Sequence, residues 1–332
     1  MASRIQGKTL CLGKAKQVNI ATISPSFLTF TQLNEEVTAQ GFRTENDAAW
    51  IGKGDEFARQ VFPVSFDPSA SISHYGSTEL TTWAWAYALG GVAQTGAGPF
   101  DYTINPIAPG TSLELPYFTV VEQVPEGGGK SIDNAFVGCA VEEVTNTIAW
   151  GAGLATHKLD IKWNGSGLIT SPSGVVAPSD TILHMQLGAS MVATINGTNY
   201  VSGKDIVGVT LGWKNNLNMT AGLYPGSGTQ NGAAVRGRIF IGTRSPMFKF
   251  RALLVNGSPE YAALVAQTTG TAAVTVSYDS NDSSTWTWNQ ISYGVVEFGQ
   301  TNGLVDVEVT IIPQSSSPLT FTSVCAIGGI AQ

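Results

Sequence analysis

A chain of 332 residues with 43% hydrophobic side chains is long enough to bury one large core or two ordinary ones. Charged residues make up 12%, roughly half the usual proportion, and the formal net charge is −7, so no basic stripe exists to hold a nucleic-acid backbone by counterion release. Few charges with 38 glycines point to sheet and turn rather than solvent-facing helix.

The first 17 residues, MASRIQGKTLCLGKAKQ, carry Arg4, Lys8, Lys14 and Lys16 and no acid, a basic arm suited to an acidic surface. They lack an apolar signal core, and no run of 18 apolar residues follows, so neither export by a signal peptide nor a membrane span is expected. Cys11, Cys139 and Cys325 are odd in number and far apart, as reduced thiols would be.

Residues 28–42, LTFTQLNEEVTAQGF, read as strand. Residues 43–60, RTENDAAWIGKGDEFARQ, read as a long loop, which in a compact domain is usually functional. Trp50, Ile51 and Phe57 would be its anchors, because exposed aromatic and aliphatic side chains are costly unless an interface covers them; Glu45, Asn46, Asp47, Lys53, Asp55 and Glu56 supply its polar contacts. After a strand at VFPVSFD, residues 77–89 predict a helix: Ser77 caps it, Glu79 sits in the positive first turn, and Leu80, Trp83 and Tyr87 lie on one apolar stripe before Gly90 and Gly91.

QVPEGGGKS at 123–131 invites a phosphate-loop reading, but the first glycine of that pattern is missing and a β-branched run follows where a helix should stand. A glycine-rich tip between strands is expected instead. FVGCAVEEVTNTIAWGAG and LATHKLDIKW then form a hairpin, the second strand alternating Leu159, Ile161 and Trp163 with Lys158, Asp160 and Lys162.

After a Ser, Pro and Gly-rich linker the same order recurs. Strands at 191–195 and 205–213, a glycine-rich loop at 224–237 and a strand at 238–255 lead to a second helix at 258–269. Ser258 caps it, and Tyr261, Leu264 and Val265 share its packing face. A second hairpin alternates Val305, Val307, Val309 and Ile311 with polar residues. The expected organisation is mainly β, with one module over 1–165, a linker over 166–179 and a second module over 180–332.

Enzymatic chemistry is not expected, and neither catalytic residues, metal ligands nor cofactors are assigned. His74, His157 and His184 have no ligand spacing with one another. Glu35 with Glu36 and Glu142 with Glu143 are adjacent doublets whose members point to opposite strand faces. The competing class is a carbohydrate-binding, lectin-like β-sandwich, for which TWTW at 285–288 places Trp286 and Trp288 on one face as a stacking platform.

ENDAAWIGKGDEFARQVFPVSFDPSASISHYGSTELTTWAWAYALGG, LPYFTVVEQV and FVGCAVEEVTNTIAWGAGLATHKLDIKW together resemble the tail tube proteins of long-tailed bacteriophages, over about residues 30–165. The second half resembles them in element order. The resemblance implies tandem β-sandwich or barrel modules, each with one short flanking α-helix, and a structural virion protein whose rings stack into a conduit for the genome. It makes residues 45–57 an inter-ring stacking loop and implies assembly in the host cytoplasm into the virion tail. Partners would be other copies of the chain, a tape measure protein, the tail terminator and distal tail or baseplate proteins, with DNA only in non-specific transit and no membrane. Such rings present about six modules, so two modules per chain favour a trimer with pseudo-sixfold symmetry. A hexamer follows if residues 166–257 complete a single module. Related tubes of contractile injection machines share these expectations.

Overall fold

The computed structural model describes residues 9–30, 42–46, 61–108, 110–126, 130–151, 154–170, 181–201, 206–222, 229–230, 233–253, 259–301, 304–314 and 318–332. The first half runs β1 (Thr9–Gly13), β2 (Phe27–Phe30), β3 (Phe42–Asn46), β4 (Val61–Phe66), β5 (Ser69–Tyr75), α1 (Thr78–Leu89), β6 (Gly90–Thr95), β7 (Phe100–Pro106), β8 (Phe118–Glu126), β9 (Lys130–Gly151), β10 (Leu154–Asn164) and β11 (Leu168–Thr170). The second runs β12 (Val192–Ile195), β13 (Thr198–Val201), β14 (Ile206–Lys214), β15 (Thr229–Gln230), β16 (Ala233–Ala234), β17 (Ser245–Leu253), α2 (Pro259–Val265), β18 (Thr269–Ser277), β19 (Ser283–Thr301), β20 (Leu304–Pro313) and β21 (Leu319–Cys325). The chain is therefore mainly β, and no helix among the described residues is long and apolar enough to cross a membrane.

The pairing pattern of the first half recurs in the second. β2, β1, β8, β9, β10 and β5 are successive antiparallel neighbours, and so are β13, β12, β18, β19, β20 and β17. Each copy has one very long strand, β9 of 22 residues and β19 of 19, whose start pairs with one layer and whose end turns back as a hairpin. Gly151 opposes Leu154 in the first hairpin and Thr301 opposes Leu304 in the second. Each hairpin contains a register shift, between Lys162 and Trp163 and between Tyr293 and Val295. The extra residue bends the strand and increases its twist, which lets one strand serve two layers.

The halves do not stand apart. β14 pairs with β9 on one side and β17 on the other, so β5, β10, β9, β14, β17, β20 and β19 form one continuous run. β21 pairs with both β19 and β7. One hydrophobic cluster accordingly contains Leu12, Ile161 and Trp163 together with Phe250, Trp288 and Val309.

α1 begins as the sequence predicts, with the Leu80 N–H donating to Ser77 Oγ at 3.3 Å, and ends on Gly90 at φ 84°, a left-handed conformation that suits glycine. It differs in burial, since all twelve residues are inside, polar ones included. The stripe of Leu80, Trp83 and Tyr87 is thus one side of a helix enclosed on every side, and a period-3.6 pattern cannot reveal what covers its other face. α2 is shorter than expected and differs in the opposite sense: Tyr261 and Val265, expected to pack, are exposed, while Leu264 is half-buried.

Three other expectations are corrected. Residues 42–46 of the expected strand and loop form β3, which pairs with β4, so Glu45 and Asn46 belong to a strand. β11 lies within the expected linker and pairs with Val137, Phe136 and Ala135 of β9. Among the described residues of the expected strand at 238–255, only Ser245–Leu253 is strand. β8 and β9 pair up to Glu126 with Lys130 and Pro125 with Ser131, on either side of residues 127–129, which lie outside the described residues; strand rather than helix follows, which excludes a phosphate loop.

Candidate assembly surface

The best-defined polar chemistry lies where the second half covers α1. Trp85 stacks on Phe321 of β21 with ring centroids 5.8 Å apart, and Trp286 of β19 meets it edge-on at 6.0 Å. Thr82 Oγ1 lies 2.7 Å from Ser323 Oγ, and Asn215 Nδ2 donates to the Ala88 carbonyl that α1 leaves unpaired near its end. At the other end the Thr78 N–H donates to the His184 carbonyl at 3.0 Å.

Glu79 is wholly buried, and it accepts the His184 N–H at 2.9 Å on Oε2 and His184 Nδ1 at 2.5 Å on Oε1. Asp282 Oδ1 lies 3.5 Å from the same nitrogen. Burial raises the Glu79 pKa, and the hydrogen bonds from His184 offset this only in part. Burial pulls His184 down, but its hydrogen bond to Glu79 and the charges of Glu79, Asp282 and Asp279 outweigh that and raise it. These three side chains are the one group among the described residues that can approach a metal ion together. The Glu79–His184 separation is that of a hydrogen bond, shorter than the roughly 3.3 Å between ligands around tetrahedral zinc, so the cluster is built as an ion pair joining the halves.

Replacing His184 by Ala strands a buried carboxylate oxygen and is expected to cost about 1–3 kcal/mol in urea unfolding. The His184 pKa is raised in the fold, so the stabilisation its charge contributes is fully present below the unfolded value of 6.5 and lost as pH rises through the folded one. The His184→Ala penalty should therefore be larger near pH 6 than near pH 9; equal penalties at both would count against the ion pair.

One face of the continuous sheet is wet. Lys158, Asp160 and Lys162 are exposed on β10 and oppose Thr147, Thr145 and Glu143 on β9, which in turn oppose Thr210, Gly212 and Lys214 on β14. Lys249 and Arg251 on β17 then oppose Thr310 and Glu308 on β20. Opposite charges interleave: Lys162 meets Glu142 at 3.3 Å and Arg251 meets Asp306 at 2.8 Å. Glu142 also accepts from Asn164 Nδ2, so the Glu142–Glu143 doublet is engaged in structural pairing.

Of the remaining residues singled out in the sequence, Asp47, Trp50, Ile51, Lys53, Asp55, Glu56 and Phe57 lie outside the described residues, as do Arg4, Lys8 and the expected helix cap Ser258. Lys14 follows directly on β1 and is half-buried; its carbonyl accepts from the Ala331 N–H and the Tyr87 hydroxyl, while Lys16 is exposed. Trp286 and Trp288 are fully buried, so the stretch proposed as a sugar platform is core. Sequence reasoning missed Glu79 with His184 because the two are 105 positions apart. No protein-family model and no curated protein matches this chain.

Proposed function

We propose that this chain is a structural subunit that assembles with copies of itself into closed rings, stacked as the tube of a bacteriophage tail. The observation that carries the reading is the repeated strand pairing whose sheet passes from the first copy to the second through β9 and β14. A module that continues its neighbour's sheet suits a cyclic wall, because a head-to-tail relation whose rotation closes forms a ring without aggregation-prone edges.

The wet face supports the conduit reading. Its interleaved Lys, Arg, Asp and Glu side chains give no one-signed field, so a polyanion passing along it meets no strong electrostatic trap. With two repeats per chain, three chains complete a pseudo-sixfold ring. Trp286 and Trp288, the best stacking platform the lectin-like alternative offered, are buried.

Electron microscopy of the purified protein tests this. Rings or tubes with a central hole and threefold symmetry are expected. Six identical subunits per ring would overturn the trimer and leave the tube, whereas monodisperse monomers at all concentrations would overturn the assembly itself.

A further inference from the structure

The two copies of the repeat are covered unequally. Counting back from the hairpins, Gly151 aligns with Thr301 and Ile148 with Phe298. Ile148 opposes Val209 of β14 and is 2% exposed, whereas Phe298 is 55% exposed. Among the described residues, the last part of β19, Val295–Thr301, pairs with β20 on one side alone, where the same part of β9 has β14 on its other side.

The helices repeat the contrast. α1 lies over the end of β9, Trp85 Nε1 donating to Asn146, and every residue of it is buried, Trp83 and Tyr87 against Phe118 of the first half and Trp85 against Trp286 and Phe321 of the second. α2 lies over the end of β19, with Tyr261 and Phe298 rings 6.2 Å apart, yet Tyr261 is 51% exposed and Val265 68%. Val305, beside Gln300 at the same end of the hairpin, is also exposed. A groove of about 500 Å³, lined in part by Leu264, Gln267, Tyr293 and Ile312, separates α2 from β19.

We propose that the face formed by α2 and the end of the β19–β20 hairpin is the docking surface for a second copy of this chain. The occupant follows from the repeat: what stands over α1 and beside β9 is the next repeat along the chain, and at α2 and β19 the next repeat belongs to another molecule. The contact is head-to-tail, sheet edge continuing sheet edge, with Phe298 and Val265 as apolar anchors under the neighbour's first half. It rests on the assembly reading above for the existence of a neighbour, and on the unequal burial for where that neighbour sits.

Phe298→Asp and Val265→Glu change exposed side chains, so the subunit should fold with its native circular dichroism. Each is expected to weaken self-association at least about tenfold by sedimentation velocity. Phe298→Cys gives an independent readout, because Cys11, Cys139 and Cys325 are all buried. A maleimide should label residue 298 rapidly in dissociated subunits and slowly in assemblies. Wild type that assembles, with both charged variants assembling equally well and residue 298 labelled at one rate throughout, overturns this surface and leaves assembly standing. Wild type that never associates overturns both.

Discussion

Trp85→Ala is expected to lower the unfolding free energy by about 4 kcal/mol or more, the largest effect of any single truncation considered for this chain. Trp85 is fully buried, stacks on Phe321, meets Trp286 edge-on and donates to Asn146 Oδ1 at 2.7 Å. Its removal opens a large cavity at the junction of the two halves and leaves a buried amide oxygen without its donor, and the two costs add. Trp85→Phe keeps most of the packing and loses the donor, so a cost of about 1–2 kcal/mol is expected. Urea unfolding separates the variants; a loss under about 1 kcal/mol for Trp85→Ala would show that the halves are not held together through α1.

The second large effect is acid sensitivity from His157. An indole N–H only donates, so Asn146 must turn its oxygen toward Trp85 and its amide nitrogen toward His157 Nε2, 2.7 Å away. That nitrogen therefore accepts, and the imidazole is neutral with its proton on Nδ1. Protonation would put a second hydrogen against the amide donor inside a dry site, and burial lowers the His157 pKa from 6.5 to about 4. Because the folded value is depressed, the unfolded chain takes up the proton first, and stability falls as pH drops from 6.5 toward 4. A shift of this size corresponds to roughly 3 kcal/mol across that window. The slope is opposite in sign to that of the His184–Glu79 pair, whose contribution fades as pH rises. His157→Gln should flatten the stability profile between these two pH values relative to wild type; an unchanged difference across the window would refute the buried neutral imidazole.

Local chemistry explains which elements were legible. Ser77 and Gly90 mark the ends of α1 through hydrogen bonds made within a few residues, and the alternation in Leu159–Trp163 and Val307–Ile311 follows from side chains pointing to opposite faces of a pleat, whereas Val305 is exposed and Asp306 buried, against the expected pattern. β3 and β11 were missed because a strand's existence depends on a partner that local sequence does not name. β11 is three residues long and forms because Ala135–Val137 of β9 offers an edge.

Periodicity, turn chemistry and composition carry the mainly β class, the presence of two helices, the Ser77 cap of α1 and the recurrence of element order. Which side of each helix is covered, the burial of Trp286 and Trp288, and the meeting of Glu79 with His184 across 105 positions come from the packing of distant segments. Burial depends on what arrives from elsewhere in the chain. Helices placed alike in the two copies of the repeat therefore end as one enclosed helix and one exposed one, according to what packs against each.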